Sequence, residues 1–77
     1  METPNISGPR IREARRAAKM AQVDLLAALE IDFGICMTQS NISQIENQMR
    51  GVKDFELRAF AAILGVTADW LLGKQAG

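Results

Sequence analysis

Apolar residues recur at spacings of three and four along the chain, and this periodicity constrains the fold more than any other feature. In the first such segment, Ile11, Ala14 and Ala18 fall on one face of a helix. Residues that favour helix ends, such as Ser, Thr and Gly, divide the pattern into short pieces. The sequence therefore predicts five helices, at about residues 7–19, 22–31, 39–47, 54–64 and 68–72.

This pattern predicts a compact all-α fold of five helices. A chain of 77 residues is long enough for one domain with a modest core. We assign the domain to residues 6–73 and expect residues 1–5 and 74–77 to be flexible tails. The segment between the second and third helices is mostly apolar, so we expect its Phe33 and Ile35 to pack against the core.

Composition argues against several classes of function. The chain has no histidine and one cysteine, which excludes a disulfide framework, a zinc site and a histidine-based catalytic site. We therefore predict that the protein is not an enzyme and has no metal, no cofactor and no small-molecule substrate. The sequence has neither a membrane-spanning apolar run nor a signal-peptide pattern, which predicts a cytoplasmic protein without a membrane partner.

The charges are balanced overall but unevenly distributed. Nine basic and nine acidic residues give a net charge of zero, whereas nucleic-acid-binding domains are usually basic. Basic residues gather at 10–19 and 50–58, and none lies between Leu25 and Asn47. Contacts with phosphates would therefore come from the flanking segments. A solvated helix face is an equal alternative for Arg12, Arg16 and Lys19.

The third predicted helix has an outward side of uncharged polar residues. A helix whose only role is solubility usually exposes Lys, Glu and Arg. Gln and Asn present a donor beside an acceptor, which matches the N6/N7 edge of adenine in the major groove. On composition alone, a neutral polar surface is the alternative interpretation. The residues on this side are Gln39, Ser40, Ser43, Gln44 and Asn47.

Three motifs appear in a characteristic order around a second helix that opens at Gln22. They are Ile-Arg-Glu-Ala-Arg at 11–15, Thr-Gln-Ser-Asn-Ile-Ser-Gln-Ile-Glu-Asn at 38–47 and Ala-Ala-Ile-Leu-Gly-Val-Thr-Ala-Asp-Trp-Leu-Leu at 61–72. With these motifs, the chain resembles the phage-repressor (lambda-like, Cro/repressor-type) helix-turn-helix family of DNA-binding domains. The resemblance covers residues 10–73 and implies a five-helix, lambda-repressor-like fold.

The resemblance also implies residue roles. The positions that match base-reading residues are Gln39, Ser40, Ser43 and Gln44. The positions that match phosphate-contacting residues are Gln22, Asn47, Arg50 and Lys53. Arg15 and Glu46 match an ion pair that ties the first helix to the third. Such a pair adds little net stability, but removing one partner is expected to cost roughly 3–5 kcal/mol.

The function that the resemblance implies is sequence-specific binding of double-stranded DNA by a transcriptional regulator, most simply a repressor. Helix 39–47 would read the major groove, and a homodimer would bind two half-sites. Exposed apolar residues near Trp70 and Leu72, or at 33–37, are candidate dimer surfaces. The alternative is a protein-interaction or antitoxin-like adaptor on the same fold with weak or lost DNA binding.

Three departures from the family pattern bear on affinity. The segment between the second and third helices is longer than the usual turn of about three or four residues. A tight turn is therefore excluded, and the second helix has room to continue by a turn. Ala21 replaces the usual Thr or Ser N-cap, a loss of about 0.5–2 kcal/mol. Gln48 replaces the usual Gly, which would cost around 1 kcal/mol in a left-handed backbone.

Overall fold

The structure, a computed structural model, describes residues 7–73. The predicted tails, and residue 6 of the predicted domain, lie outside the described residues. Within 7–73 the chain forms five α-helices and no strand, so the predicted all-α fold is confirmed. The helices are α1 (Ser7–Ala17), α2 (Gln22–Phe33), α3 (Gln39–Glu46), α4 (Asp54–Leu64) and α5 (Ala68–Leu71). None of these helices is long and apolar enough to cross a membrane.

The core lies where the apolar faces of the helices meet. Helix α1 packs against α3, α4 and α5, and α2 packs against α3 and α4. Phe60 of α4 is the largest of the fully buried side chains. Burying such a side chain contributes about 1.5–3 kcal/mol, so these contacts fix the helices relative to one another. The other fully buried large side chains are Ile11, Leu25, Leu29, Ile42, Ile45 and Leu71.

Helices α2 and α3 begin with different caps. At α3, Thr38 Oγ1 accepts from the amide of Asn41, and Asn41 Oδ1 accepts from the amide of Thr38, both at 3.1 Å. At α2, Ala21 has no side chain that could accept a hydrogen bond. Asp24 Oδ2 nevertheless accepts from the Ala21 amide at 2.9 Å, which retains half of a capping box. The start of α2 therefore lacks only the hydrogen bond that a Ser or Thr side chain at position 21 would accept.

Helix α2 continues to Phe33, beyond the residue at which the sequence predicts its end. Gly34 then adopts a left-handed backbone (φ 67°), and its amide donates to Glu30 O. Phe33 keeps 45% of its surface exposed, so the expectation that it packs against the core is wrong. Phe33 is the last residue of α2. Ile35, the next apolar residue, does pack against the core as expected.

Helix α3 ends at Glu46, followed by a turn that depends on Gln48. Gln48 has a φ of 63°, and its amide donates to Ile45 O at 3.1 Å. The Met49 amide donates to Gln44 O at 2.7 Å, which completes a Schellman motif. The left-handed position usually belongs to glycine, so the side chain of Gln48 adds about 1 kcal/mol of strain.

Candidate nucleic-acid interface

One side of α3 faces solvent and carries no charge. Gln39, Ser40 and Gln44 are exposed, and Ser43 is half-buried. On the opposite side, Ile42 and Ile45 are fully buried in the core. The helix thus separates apolar anchoring residues from uncharged donors and acceptors. Four residues proposed from the sequence to read bases therefore lie on one helix, three of them openly accessible.

Gln22, at the start of α2, connects this surface to the interior. Its Oε1 atom accepts from Gln39 Nε2 at 3.2 Å and from Ser43 Oγ at 3.3 Å. Its Nε2 atom donates to Glu46 Oε1 at 3.3 Å. We call these four residues the Gln22 network. Its bonds fix α3 against the beginning of α2.

Glu46 is the buried end of the Gln22 network. Only 3% of Glu46 is exposed, and the Arg15 guanidinium binds it as a fork. Arg15 Nε lies 2.8 Å from Oε2 and Nη2 lies 3.1 Å from Oε1. Arg15 Nη1 also donates to Met20 O at 2.8 Å. The structure therefore brings Arg15 and Glu46 together in a bidentate ion pair, the strong geometry for a guanidinium and a carboxylate.

The surroundings of Glu46 keep it ionised. Burial alone would raise the pKa of Glu46, but the hydrogen bond and positive charge of Arg15 outweigh it. Gln22 and Arg12 donate further hydrogen bonds, and the net pKa lies below the ordinary value of 4.5. The hydrogen bond to Glu46 also raises the pKa of Arg15. At neutral pH the Glu46 carboxylate can therefore only accept hydrogen bonds.

Arg12 has a role that the sequence analysis did not assign. Its Nε atom lies 3.4 Å from Glu46 Oε1, and its Nη2 atom donates to Asn47 Oδ1 at 2.7 Å. Asn47, proposed as a phosphate contact, thus binds Arg12 in the absence of DNA. The sequence contained one signal for this role of Arg12: residues 12 and 15 are three apart and share one face of α1.

The two basic residues proposed as phosphate contacts, Arg50 and Lys53, differ in their surroundings. The Lys53 side chain is exposed. Arg50 Nη2 instead lies 3.1 Å from Oε2 of Glu56, which is itself buried. Glu56 Oε1 also accepts from the Lys53 amide at 3.0 Å. The sequence signal for this arrangement was a Glu at the third position of α4, where it can cap the helix.

A second polar contact, also absent from the sequence analysis, joins α1 to α5. The Arg10 guanidinium lies 4.9 Å from the centre of the Trp70 ring and donates to Trp70 O at 3.0 Å. Trp70 also lines a shallow, mainly apolar groove with Ala14, Ala17 and Leu64. Leu72, just beyond α5, keeps 38% of its surface exposed. This end of the molecule therefore exposes apolar surface beside an arginine–tryptophan contact.

Within residues 7–73, no group of three or more His, Cys, Asp or Glu residues could hold a metal ion. A family model described as "Helix-turn-helix" matches residues 11–71. The match therefore includes all of α2 and α3 and every member of the Gln22 network. No curated protein and no solved structure matches the chain.

Proposed function

The chain belongs to the helix-turn-helix family, and from this premise we propose that it is a sequence-specific transcription regulator that binds double-stranded DNA and acts as a repressor. The observation that carries the proposal is the outward side of α3, where Gln39, Ser40 and Gln44 are exposed. An α-helix fits the major groove of B-form DNA, where base edges are distinguishable. In this proposal, α3 enters that groove.

The side chains on α3 suit base recognition. A glutamine side chain can form two hydrogen bonds with the major-groove edge of adenine. Its Nε2 atom donates to N7, and its Oε1 atom accepts from N6. Gln39 and Gln44 are the candidates for such paired contacts, each worth about 1–3 kcal/mol of discrimination. Anchoring of α3 by Gln22 and by the Arg15–Glu46 pair supports the proposal, because a held helix loses less conformational freedom on binding.

Phosphate contacts in this proposal surround α3. The start of α2 presents backbone amides and the Gln22 side chain, a favourable site for a phosphate. Asn47 Oδ1 accepts from Arg12, so a phosphate would meet the Nδ2 donor. Lys53 is exposed, whereas Arg50 would have to leave Glu56. With so few cationic contacts, we expect affinity to depend weakly on salt, with a logarithmic slope of about −1 to −2.

A homodimer completes the proposal. One small domain buries too little DNA surface for useful affinity, and a dimer reads two half-sites about one helical turn apart. The candidate dimer surfaces are the end of the molecule near Trp70 and Leu72 and the segment 33–37. Phe33 and Leu72 are the exposed large apolar residues of these two surfaces. Repression would follow from occupation of the operator.

The test is selection from random DNA duplexes at low and moderate salt, with the oligomeric state measured alongside. We expect enrichment of a near-palindromic sequence. Gln39→Ala should relax specificity at one base pair by about 1–3 kcal/mol. Lys53→Ala is the matched control, because loss of a phosphate contact weakens binding to all sequences alike. Absence of any enriched sequence would refute the proposal.

An adaptor or antitoxin-like role on the same fold is the second candidate. Two observations favour it: Arg50 is engaged by Glu56, and the chain carries no net charge. Both reduce the electrostatic attraction to DNA. An adaptor would enrich no duplex in the selection and would bind a protein partner through α3 or the exposed apolar residues. An enriched sequence that depends on Gln39 would exclude this role.

A further inference from the structure

A chain of hydrogen bonds runs from the buried Glu46 carboxylate through Gln22 to Gln39 and Ser43 on the surface of α3. We propose that Glu46 sets the direction of every bond in this chain and thereby restricts Ser43 to accepting hydrogen bonds from a base. The effect on bases rests on the proposed DNA binding. The direction of the bonds is a property of the protein alone.

The first step is the orientation of the Gln22 amide. Glu46 is ionised and only accepts, so the Gln22 atom that faces it must be the Nε2 donor, as observed at 3.3 Å. A flipped amide would place Gln22 Oε1 at that distance from a carboxylate oxygen. Two acceptors would then face each other without a proton between them. The charge on Glu46 therefore selects one of the two amide orientations.

The second step is the effect of that orientation on α3. With Nε2 turned to Glu46, Gln22 presents its carbonyl oxygen to α3. A carbonyl oxygen has two lone pairs and accepts from two donors, which here are Gln39 Nε2 at 3.2 Å and Ser43 Oγ at 3.3 Å. Gln39 has two N–H groups and uses one of them. Ser43 has a single hydroxyl proton, and this bond uses it.

The third step concerns the groups left for a base. A serine hydroxyl normally donates or accepts and so discriminates poorly between bases. Once its proton is directed to Gln22, Ser43 offers only lone pairs. These pair with the amino groups of cytosine or adenine and not with the acceptors of guanine or thymine O4. Gln39 keeps one N–H and its Oε1, the combination that adenine requires.

Ser40 and Gln44 provide an internal reference. Both lie on the exposed side of α3, and no hydrogen bond among the described residues joins either of them to Gln22. Their donors and acceptors are not directed by Glu46. A perturbation of the Gln22 network should therefore change base preference at the position read by Ser43 and leave the position read by Gln44 unchanged.

The variant Gln22→Met tests the proposal in DNA binding, because methionine matches glutamine in length but neither donates nor accepts strongly. First, Ser43→Ala identifies the base pair that Ser43 reads. At that base pair, we expect wild type to prefer cytosine or adenine about tenfold, and Gln22→Met to discriminate less than about twofold. Overall affinity will also fall, since Gln22 is a proposed phosphate contact, so the ratio between bases is the measurement.

The outcomes distinguish two roles of Gln22, which are to direct the Ser43 hydroxyl and only to hold α3 in place. Broadening at the Ser43 base pair with an unchanged preference at the Gln44 base pair supports the proposal. A uniform loss of affinity with the Ser43 preference intact overturns it. Glu46→Gln is the second variant, because the neutral amide at position 46 can face either orientation of the Gln22 amide. It should therefore broaden the base preference at the same base pair.

A measurement on the free protein makes the proposal independent of DNA binding. Nuclear Overhauser contacts of the Gln22 side-chain amide protons report which way the amide points. Contacts with the Arg15 Nη2 protons, which bind the same Glu46 Oε1 atom, support the orientation, and contacts with the Ser43 β-protons in their place overturn it. If wild type enriches no DNA sequence, the proposed function fails, and this measurement still decides the direction of the bonds.

Discussion

Among residues 7–73, the two buried carboxylates, Glu46 and Glu56, have the same chemistry but bind partners at different distances along the chain. Each is paired with an arginine, at 2.8 Å for Arg15 and 3.1 Å for Arg50. Glu46 joins partners 31 and 24 residues away, on α1 and α2. Glu56 binds Arg50 and the Lys53 amide, 6 and 3 residues away. One buried pair therefore holds the tertiary arrangement, and the other holds the start of a helix.

The arginines also differ in their access to water. The Arg15 side chain is 11% exposed, whereas that of Arg50 is 29% exposed. An arginine near the surface can recover hydration when its carboxylate is removed, but a buried charge cannot. We therefore expect the Arg15–Glu46 pair to be far more sensitive to loss of one partner than the Arg50–Glu56 pair.

The largest effect is expected from Arg15→Met, which leaves the buried Glu46 without its main partner. The free energy of unfolding should fall by roughly 3–5 kcal/mol, measured by urea denaturation. Arg16→Met is the matched control, because Arg16 is exposed and its loss should change stability by less than about 0.5 kcal/mol. Equal, small effects of both substitutions would contradict the comparison.

A smaller effect is expected from Glu56→Gln. The substitution weakens the bonds to Arg50 and to the Lys53 amide, and we expect a loss of about 1–3 kcal/mol in the same urea assay. It should also make Arg50 more available to a phosphate and steepen the salt dependence of DNA binding by about one unit. Asp54→Asn, on the same turn of α4 but exposed, is the control. A loss of stability as large as that of Arg15→Met would contradict the expected difference between the two ion pairs.

The pH dependence of stability should distinguish Glu46 as well. Because the pKa of Glu46 is lowered in the folded state, the unfolded chain binds a proton at a higher pH than the folded protein. The contribution of Glu46 to the free energy of unfolding is therefore present above about pH 4.5 and is lost as the pH falls through the folded-state pKa. Urea denaturation at several acidic pH values should show a flatter profile for Glu46→Gln. Identical profiles for the variant and wild type would count against this account.

The smallest effect is expected in the turn between the two carboxylates. Gln48→Gly should raise the free energy of unfolding by less than about 1 kcal/mol, because relief of the left-handed strain is partly offset by the greater freedom of glycine in the unfolded chain. Gln48→Ala keeps a β-carbon and therefore keeps the left-handed strain, so it should not raise the free energy of unfolding. Stabilisation by alanine equal to that by glycine would show that the side chain, and not the backbone, is the cause.

Local signals predicted much of the fold. The bounds of α4 at Asp54–Leu64 agree with the sequence prediction, because a glycine directly follows the last apolar residue. The sequence predicts the end of α2 at about residue 31, whereas the helix continues to Phe33 and Gly34 is the residue that ends it. The exposure of Phe33 differs from the prediction for the same reason, since its surroundings depend on whether α2 continues.

The candidate site was only partly predictable. The uncharged side of α3 follows from spacing within one helix, and so it could be found in the sequence. The Gln22 network could not, because its bonds cross from α2 to α3 and depend on how those helices pack. The pairing of Arg50 with Glu56 does not follow from the position of Arg50 after α3, because it depends on an acidic residue six positions later, in α4.

The central claim, that the outward amides of α3 read bases, is tested most directly by removing one hydrogen-bond acceptor from the DNA. In a selected duplex, the adenine assigned to Gln39 is replaced by 7-deazaadenine, which lacks the N7 acceptor and keeps normal pairing. Binding of wild type and Gln39→Ala to both duplexes forms a thermodynamic cycle. The account predicts that wild type loses about tenfold in affinity and Gln39→Ala loses almost nothing. An equal loss for both proteins, or no loss for wild type, would contradict it.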